Sequence, residues 1–190
     1  MIIGGIIFLC ILILGFVYGI SIYNQLDDIK HNVSKAWANI EVLLKQRHDE
    51  LPKLVEVCKQ YRQFEQETLQ RVIEARSQVH TAREAQDIGA LGKAEGAMAL
   101  GLSRLFAVAE AYPELRANEN FMQLQQRIST LENGISDRRE FYNEAAKINN
   151  VRIEQFPDLI LARFFRFEAR TLLEFSDTEK ADVDLKKLFN

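Results

Sequence analysis

The side chains that most often catalyse reactions or bind metals are few and scattered in this sequence. The three histidines, His31, His48 and His80, lie far apart along the chain. Glu132 is followed by Asn-Gly-Ile, so it lacks the histidine of the Glu-x-x-His pair with which helical bundles hold a di-iron centre. Zinc sites likewise need clustered ligands at fixed spacing. The sequence therefore predicts neither a metal site nor a bound cofactor.

The two cysteines and a glycine-rich segment favour ordinary structural roles. Cys10 lies within an apolar leader, and Cys58 shares an apolar stripe with Leu54 and Tyr61, which predicts a buried, unreactive thiol. A disulfide between the two cysteines is not expected, because only one of them lies outside the leader. Residues 89–92 lack the Lys-Ser/Thr and the preceding strand of a phosphate-binding loop. No enzyme is predicted.

Several polar and aromatic residues fall at or near the predicted helix ends. They are Arg47, Asp49, Tyr112, Asn118, Asn120 and Asn143. Helix ends carry backbone N–H and C=O groups without intrahelical partners. In one interpretation, Asn118 or Asn120 accepts from free N–H groups, and Arg47 binds terminal carbonyls or Asp49. In the other, the same bend forms a partner-binding site. We expect the capping role.

The composition predicts an all-α protein. The chain of 190 residues contains three prolines and nine glycines, and long stretches are rich in Ala, Leu, Gln, Glu, Lys and Arg. A net charge of −3 provides no overall basic field for a phosphate backbone. Nucleic acid is therefore not an expected partner.

The first segment, residues 1–23, predicts a membrane anchor. Residues 2–23 contain no charged side chain and Asp27 is the first ionised group, which leaves about the 20 residues needed to span a bilayer. A cleaved signal peptide has a basic start, whereas this leader begins Met-Ile-Ile. We therefore expect a retained single-pass anchor. Lys30 and Lys35 follow it closely and favour a cytoplasmic position for the rest of the chain.

Small residues in the anchor predict self-association. Gly15 and Gly19 have the small-xxx-small spacing that lets transmembrane helices approach closely, and Gly4 and Gly5 are further small residues. Confinement to one membrane in one orientation raises the effective concentration of the copies. We expect a homo-oligomer.

Apolar periodicity predicts that the anchor continues as a helical stalk. The apolar residues recur in a 4-3 rhythm at Ile22, Leu26, Ile29, Val33, Ala36, Ile40 and Leu43. Trp37 widens this stripe, and Arg47 occupies the next heptad position and ends it. Asp49 as an N-cap, followed by Pro52 in a first turn, predicts a bend and a second helix.

Later breaks divide the rest of the sequence into further helices. Glycines between 89 and 101 are expected to loosen the chain, and Pro113 and Pro157 are expected to stop helices. The expected helices run from Pro52 to Val79, from Ala94 to Tyr112, from Asn118 or Asn120 to Ala145, and from Asp158 to Phe175.

The last predicted helix is two-sided. Its apolar face carries Leu161, Phe164, Phe165, Leu172 and Phe175, and its basic face carries Arg163, Arg166 and Arg170. The apolar face would close the bundle, or contact the bilayer or a second copy. The expected architecture is an anchor at 1–23, an antiparallel up-down bundle of about four helices at 24–175, and a polar tail at 176–190.

Residues at the predicted turns form a dense set of spaced motifs. They are Tyr23-Asn24, Leu26, Ala36-Trp37, Ile40, Leu44-Lys45, Arg47, Asp49, Pro52, Leu54-Val55, Glu110-Ala111-Tyr112-Pro113, Leu115, Ala117-Asn118, Asn120-Phe121, Leu124-Gln125, Glu132-Asn133, Tyr142-Asn143 and Phe156-Pro157. In these residues the chain resembles the LemA family of bacterial membrane proteins, and so many spaced matches are far more specific than a lone motif. The segment from Arg163 to Phe175 departs from the family pattern.

The resemblance implies a short N-terminus outside, one helix across the bacterial inner membrane and a cytoplasmic antiparallel bundle. It supplies no reaction, although some members take part in shaping membrane compartments. Two classes of function follow. The first is a non-enzymatic scaffold or adaptor in the lipid bilayer, whose partners are its own copies and other membrane proteins. The second is a module that binds a small apolar or lipid-like ligand between helices.

Overall fold

All regular secondary structure in the described part of the chain is helical. The computed structural model describes residues 2–61 and 64–174, and within these ranges it contains no strand, which confirms the all-α prediction. The polar tail predicted at 176–190, and Phe175 before it, lie outside the described residues. The helices are α1 (Ile2–Lys59), α2 (Gln66–Glu84), α3 (Ile88–Ala109), α4 (Pro113–Arg116), α5 (Glu119–Glu154) and α6 (Asp158–Phe164).

Pro52 does not end α1, so this helix is longer than predicted. Pro52 and Asp49 both lie inside α1, and Asp49 is therefore not an N-cap. A proline inside a helix leaves the carbonyl four residues before it without its usual N–H donor. Here that carbonyl belongs to His48, and Nε of Arg76 donates to it at 3.0 Å. Because this side chain replaces the missing backbone donor, the helix continues, and the predicted bend is wrong.

The glycine-containing segment is helical rather than loose. All glycines between residues 89 and 101 lie in α3. This helix begins at Ile88, earlier than predicted, because Oδ1 of Asp87 accepts from the backbone N–H of Ala90 at 2.9 Å and caps its first turn. Gly92 permits a close approach of two chain segments, since a Cβ atom there would overlap the backbone carbonyl of Glu174.

The turn between α3 and α5 agrees with the prediction in outline. Tyr112 precedes Pro113, which begins the short helix α4. Oδ1 of Asn118 accepts from the backbone N–H of Phe121 at 3.1 Å and caps α5. Asn120 is exposed inside the first turn of α5. The cap is therefore Asn118 rather than Asn120.

Only part of the last predicted helix forms. α5 continues through Asn143, which is therefore not at a helix end, and stops at Glu154 just before the cis peptide bond of Phe156–Pro157. The next helix, α6, ends at Phe164, and residues 167–174 have no regular secondary structure.

Side chains of α5 explain why the chain is not helical after α6. Nδ2 of Asn149 donates to the carbonyl of Glu168 at 3.0 Å. Asn150 contacts the backbone of Arg170 twice, donating to its carbonyl at 2.9 Å and accepting from its N–H at 2.7 Å. These bonds satisfy backbone groups that a helix would pair internally. The predicted helix is consequently wrong beyond Phe164.

The chain divides into two compact units, which are described separately. Unit 1 comprises Met1–Asn39 and Glu140–Leu172, and unit 2 comprises Ile40–Arg139 and Leu173–Asn190. In unit 1, Ile22, Leu26 and Ala162 are buried together. The largest fully buried apolar side chains of unit 2 are Ile40, Leu44, Leu51, Leu54, Leu69, Leu91, Met98, Leu105, Leu115 and Phe121. The buried positions of α1 confirm its predicted stripe, whereas the antiparallel order of the helices stays a prediction.

Candidate functional site

The most unusual polar arrangement in the described residues is a group of three charged side chains inside unit 2. Nη1 of Arg47 donates to Oε1 of Glu132 at 2.5 Å, and Nη2 of Arg47 donates to Oε1 of Glu95. The side chains of Arg47 and Glu95 are 1% and 2% exposed, and that of Glu132 is 26% exposed. These three residues, the buried ion cluster, join α1, α3 and α5.

Helical spacing places Arg47 in the core. It follows Leu44 by three residues and precedes Leu51 by four, so it lies on the face of α1 that these buried leucines share. Glu95 likewise lies between Leu91 and Met98 on the buried face of α3. A lone charge on an apolar stripe was the signal that would have identified Glu95, which sequence analysis missed.

Burial and charge act in opposite directions on the pKa values of this cluster. Burial tends to lower the pKa of the Arg47 guanidinium, but the coulombic attraction of Glu95 and Glu132 outweighs it, so that the pKa is raised. Burial raises the pKa of the Glu95 carboxyl, and the neighbouring Arg47 charge opposes that shift. The guanidinium therefore stays protonated.

The chemistry of the buried ion cluster suits positioning rather than catalysis. A guanidinium stays protonated at physiological pH, and here one N–H donor on each of its two Nη atoms is bound by a carboxylate. Because a buried charge is costly without its partner, the cluster favours one arrangement of the three helices. This differs from the predicted role of Arg47, which lies inside α1 and not at a helix end.

A second polar group in unit 2 surrounds His48. Its Nε2 atom lies 2.6 Å from Nη2 of Arg76, and its ring centroid lies 4.9 Å from that of His80. Burial and the charge of Arg76 lower the pKa of His48. His80 is paired with Glu84, one helical turn further along α2, and its Nε2 atom lies 3.3 Å from Oε1 of Glu84. Sequence analysis missed this pair. Across residues 2–61 and 64–174, no three His, Cys, Asp or Glu side chains are grouped to hold a metal ion.

The thiol of Cys58 is fully buried, as its position on the apolar stripe predicted. Burial raises its pKa to about 12. Because the thiolate is the reactive form, this cysteine is a poor nucleophile in the folded protein.

The remaining predicted site residues lie at separate places. In unit 1, the ring centroids of Trp37 and Tyr142 are 5.4 Å apart. In unit 2, Nδ2 of Asn118 donates to the hydroxyl of Tyr61 at 3.3 Å, and the ring of Tyr112 lies 5.4 Å from that of Phe64. The two contacts of unit 2 lock the turn around α4 and do not include Arg47.

Other predicted residues of unit 1 lie where space around them is open. Gly15 and Gly19 lie on the apolar part of α1, and among the described residues a Cβ atom on either would meet no atom within 4 Å. Phe156, next to Pro157, is 80% exposed. Residues in both places are accessible to a partner.

Sequence comparison relates this chain to several known proteins. Protein LemA of Metamycoplasma hominis is 26% identical over 169 residues, which is 88% of this chain and 75% of that protein. Magnetosome proteins MamQ 1 and MamQ 2 of Paramagnetospirillum magneticum are each 36% identical over 74 residues, or 37% of this chain. The chain spans about a quarter of the length of these two magnetosome proteins, the matched share being 27%. The sequence model of the LemA family matches residues 36–186, and this chain therefore belongs to the LemA family.

Proposed function

We propose that this protein is a non-enzymatic, membrane-anchored helical scaffold or adaptor that assembles with its own copies at the bacterial inner membrane. The first part of α1 spans the bilayer, its N-terminus lies outside, and the helical remainder lies in the cytoplasm. Copies of the chain and other membrane proteins are its partners. No cofactor is needed for this role.

The observation that carries the proposal is a sharp change of environment along α1. Every large apolar side chain from Ile3 to Ile20 is exposed, and none of the most apolar window is buried. Two residues further, Ile22 is buried, and it is packed with Leu26 and Ala162. Exposed apolar surface over about 20 residues suits the lipid tails of a bilayer. The same helix thus serves as an anchor and as part of the core of unit 1.

Self-assembly is supported by the glycines of the anchor. Gly15 and Gly19 carry no side chain, and a Cβ atom added to either would meet no atom of the described residues within 4 Å. Small residues four apart let two transmembrane helices approach closely. Since all copies share one membrane and one orientation, weak contacts are sufficient to assemble them.

Membership of the LemA family and similarity to MamQ 1 and MamQ 2 support a role at membranes. The two relatives are named as magnetosome proteins, and only a part of each matches this chain. We propose for this chain a contribution to the organisation of a membrane, without a chemical reaction.

The anchor is tested by placing charges within it. Replacing Ile7 and Leu12 with arginine costs about 2.5 to 3.5 kcal/mol per central charge on insertion scales. The double variant is expected in the soluble fraction after carbonate extraction, while the unaltered protein stays with the membranes. A matched variant with Ile7→Val and Leu12→Val should remain in the membrane. Unchanged membrane recovery of the arginine variant would contradict the proposal.

The orientation is tested by thiol labelling. A cysteine introduced at Ser176, in the tail, is expected to resist a membrane-impermeant reagent in intact cells and to react after lysis. Lys30 and Lys35, close behind the anchor, favour retention of this side of the chain in the cytoplasm. Labelling in intact cells would place the tail outside.

A groove in unit 2 favours a second candidate function, the binding of a small apolar or lipid-like molecule. It has a volume of about 650 Å³ and is lined by residues of α2 and α3, including Ala97, Leu100 and Gly101. This function predicts that lipid co-purifies with the protein and that Ala97→Trp, which fills the groove, removes it. Equal lipid content of the two proteins by mass spectrometry would exclude the groove as the binding site.

A further inference from the structure

We infer that unit 1 makes a second, interfacial contact with the bilayer, through an apolar surface formed by Phe156, Ile160 and Phe164 beside the point where α1 leaves the membrane. This inference rests on the proposed membrane anchoring of α1. We call these three residues the interfacial patch.

The interfacial patch is strongly exposed, and two of its three residues lie on α6 while Phe156 precedes it. Phe156, Ile160 and Phe164 are 80%, 59% and 77% exposed. Ile160 and Phe164 are four residues apart in α6, so their side chains lie one above the other. Large aromatic and aliphatic side chains exposed side by side are typical of a surface that contacts a partner or a membrane.

The opposite side of α6 is already occupied. Asp158 and Ala162 are buried, and Ala162 packs with Ile22 and Leu26 of α1. Nε of Arg152 donates to Oδ2 of Asp158 at 2.5 Å and holds the start of α6 on α5. The interfacial patch therefore does not complete the core of unit 1 and is turned away from it.

The position of α6 along α1 identifies the bilayer as the occupant. The run from Ile3 to Ile22 is about 30 Å long at about 1.5 Å per residue, which equals the thickness of the hydrocarbon core. Ile22 and Leu26, on which α6 packs, therefore lie at the level of the lipid headgroups. A helix fixed at this level, with apolar side chains outward, is placed to enter the interface.

Aromatic and basic residues around the patch fit this depth. The ring of Tyr23 lies 4.7 Å from that of Phe165, and Phe165 lies 4.9 Å from Phe164. Tyrosine at a membrane–water boundary has its ring in the apolar region and its hydroxyl in water. Arg163 and Arg166 are exposed beside these rings and complement anionic headgroups.

Depth-dependent quenching of an environment-sensitive fluorophore tests this contact in the full-length protein. We would label Phe164→Cys with nitrobenzoxadiazole in a Cys10→Ala background, where the remaining Cys58 is fully buried. The protein would be reconstituted in vesicles of phosphatidylcholine with phosphatidylglycerol. Iodide in the water and a nitroxide carried on lipid tails would serve as the two quenchers.

A matched control comes from a second exposed phenylalanine of unit 1. Phe141 is 58% exposed, and its neighbour Tyr142 contacts Trp37. Trp37 is about 22 Å further along α1 than Ile22 at about 1.5 Å per residue, so a label at Phe141→Cys should stay in water. We expect the label at 164 to be severalfold less quenched by iodide than the label at 141, and severalfold more quenched by the lipid nitroxide.

The contribution of the basic residues is tested in the same vesicles. Arg163→Gln with Arg166→Gln is expected to reduce the lipid quenching at 164 in vesicles that contain phosphatidylglycerol and to leave it unchanged in pure phosphatidylcholine. The same loss in both vesicles would refute a role of headgroup charge in this contact.

Two quenching results at position 164 would overturn the interfacial contact. A label within the anchor shows whether α1 itself is in the bilayer, so that a failure of anchoring can be recognised. A label at Ile13→Cys must be quenched by the lipid nitroxide. If it is, then strong iodide quenching at 164 would refute the contact alone. Protection of 164 from both quenchers would refute it as well, because a protein would then cover the patch. If the label at 13 is itself quenched by iodide, both the anchor and the contact are refuted.

Discussion

Removing the central cation of the buried ion cluster is expected to destabilise unit 2 severely. In Arg47→Met the side-chain volume is nearly kept, but Glu95, 2% exposed, loses the guanidinium that compensates its charge. Breaking a buried ion pair by removing one partner costs about 3 to 5 kcal/mol. We therefore expect the free energy of unfolding to fall by about this amount.

The other members of the cluster should respond according to their burial. Glu132 is 26% exposed and reaches water, so Glu132→Gln is expected to cost about 1 kcal/mol, which is close to the value of a partly solvated pair. In the double variant Arg47→Met with Glu95→Met, no buried charge is left unpaired. Replacing a buried ion pair by apolar residues is often neutral, so we expect most of the stability to return.

The destabilisation of Arg47→Met should also depend on pH in a defined direction. Burial raises the pKa of Glu95, and in the variant the charge and hydrogen bond of Arg47 no longer oppose this shift. The folded variant then keeps a proton that the unfolded chain loses above about pH 4.3, so its free energy of unfolding should decrease as the pH rises. The variant should therefore be closer to the unaltered protein in acid than at neutral pH.

Urea unfolding in detergent micelles, followed by far-ultraviolet circular dichroism, measures these effects. Arg127→Met is the matched control, since Arg127 is 67% exposed and its Nη1 atom lies 3.6 Å from Oε1 of Glu50. Its effect should be below about 1 kcal/mol. Equal losses for Arg47→Met and Arg127→Met, or strictly additive losses in the Arg47→Met and Glu95→Met double variant, would refute the energetic coupling within the cluster.

Three further predictions follow from the geometry of unit 2. Gly92→Ala should lower the free energy of unfolding by about 1 to 3 kcal/mol, because the new Cβ atom overlaps the carbonyl of Glu174. Gly89→Ala should raise the free energy of unfolding by about 0.4 to 1 kcal/mol. Equal thermal midpoints of these two variants would contradict the close approach. Since the pKa of His48 is lowered, the unfolded chain gains a proton below about pH 6.5 that the folded chain does not, so stability should fall with acid, and less so in His48→Gln. Cys58, with its pKa near 12, should react with iodoacetamide only after denaturation, and reaction of the folded protein at mildly alkaline pH would show that the thiol is not buried.

Periodic apolar residues were sufficient to predict the helical class and much of the core. Four residues of the predicted stripe, Ile22, Leu26, Val33 and Ile40, are buried, because side chains three and four residues apart share one helix face. Ile29 and Ala36 between them are partly buried. The capping role of Asn118 was also predictable, although Asn120 stayed as an alternative until the hydrogen bond to Phe121 was seen.

Two of the wrong predictions share a cause, which is that distant side chains replaced local backbone partners. Pro52 reads locally as the start of a helix, and only Arg76, which binds the freed carbonyl of His48, lets α1 continue. Residues after Phe164 have an amphipathic helical pattern, but Asn150 on α5 binds the backbone N–H and carbonyl of Arg170, and the segment is not helical. Such long-range bonds leave no mark in the sequence near the element they alter.

The candidate site was half predictable. Arg47 was identified through its heptad position and its motif, but it was assigned to a helix end because the bend at Pro52 was expected. Glu95 was missed because glycines on either side suggested a loosened chain, which hid the apolar stripe that this glutamate shares with Leu91 and Met98. Without a continuous α3, the partner of Arg47 could not be named.

Self-assembly through the anchor is the central claim, and chemical crosslinking in native membranes measures it most directly. The double variant Gly15→Ile with Gly19→Ile adds bulk to one face of α1. Within the described residues, a Cβ atom added at either position meets no atom within 4 Å. Gly4→Ile with Gly5→Ile makes the same change elsewhere on α1, also without a neighbouring atom within 4 Å. We predict crosslinked oligomers for the unaltered protein and for the control, and their loss in the Gly15 and Gly19 variant. A protein that stays monomeric in native membranes and in mild detergent would contradict the account.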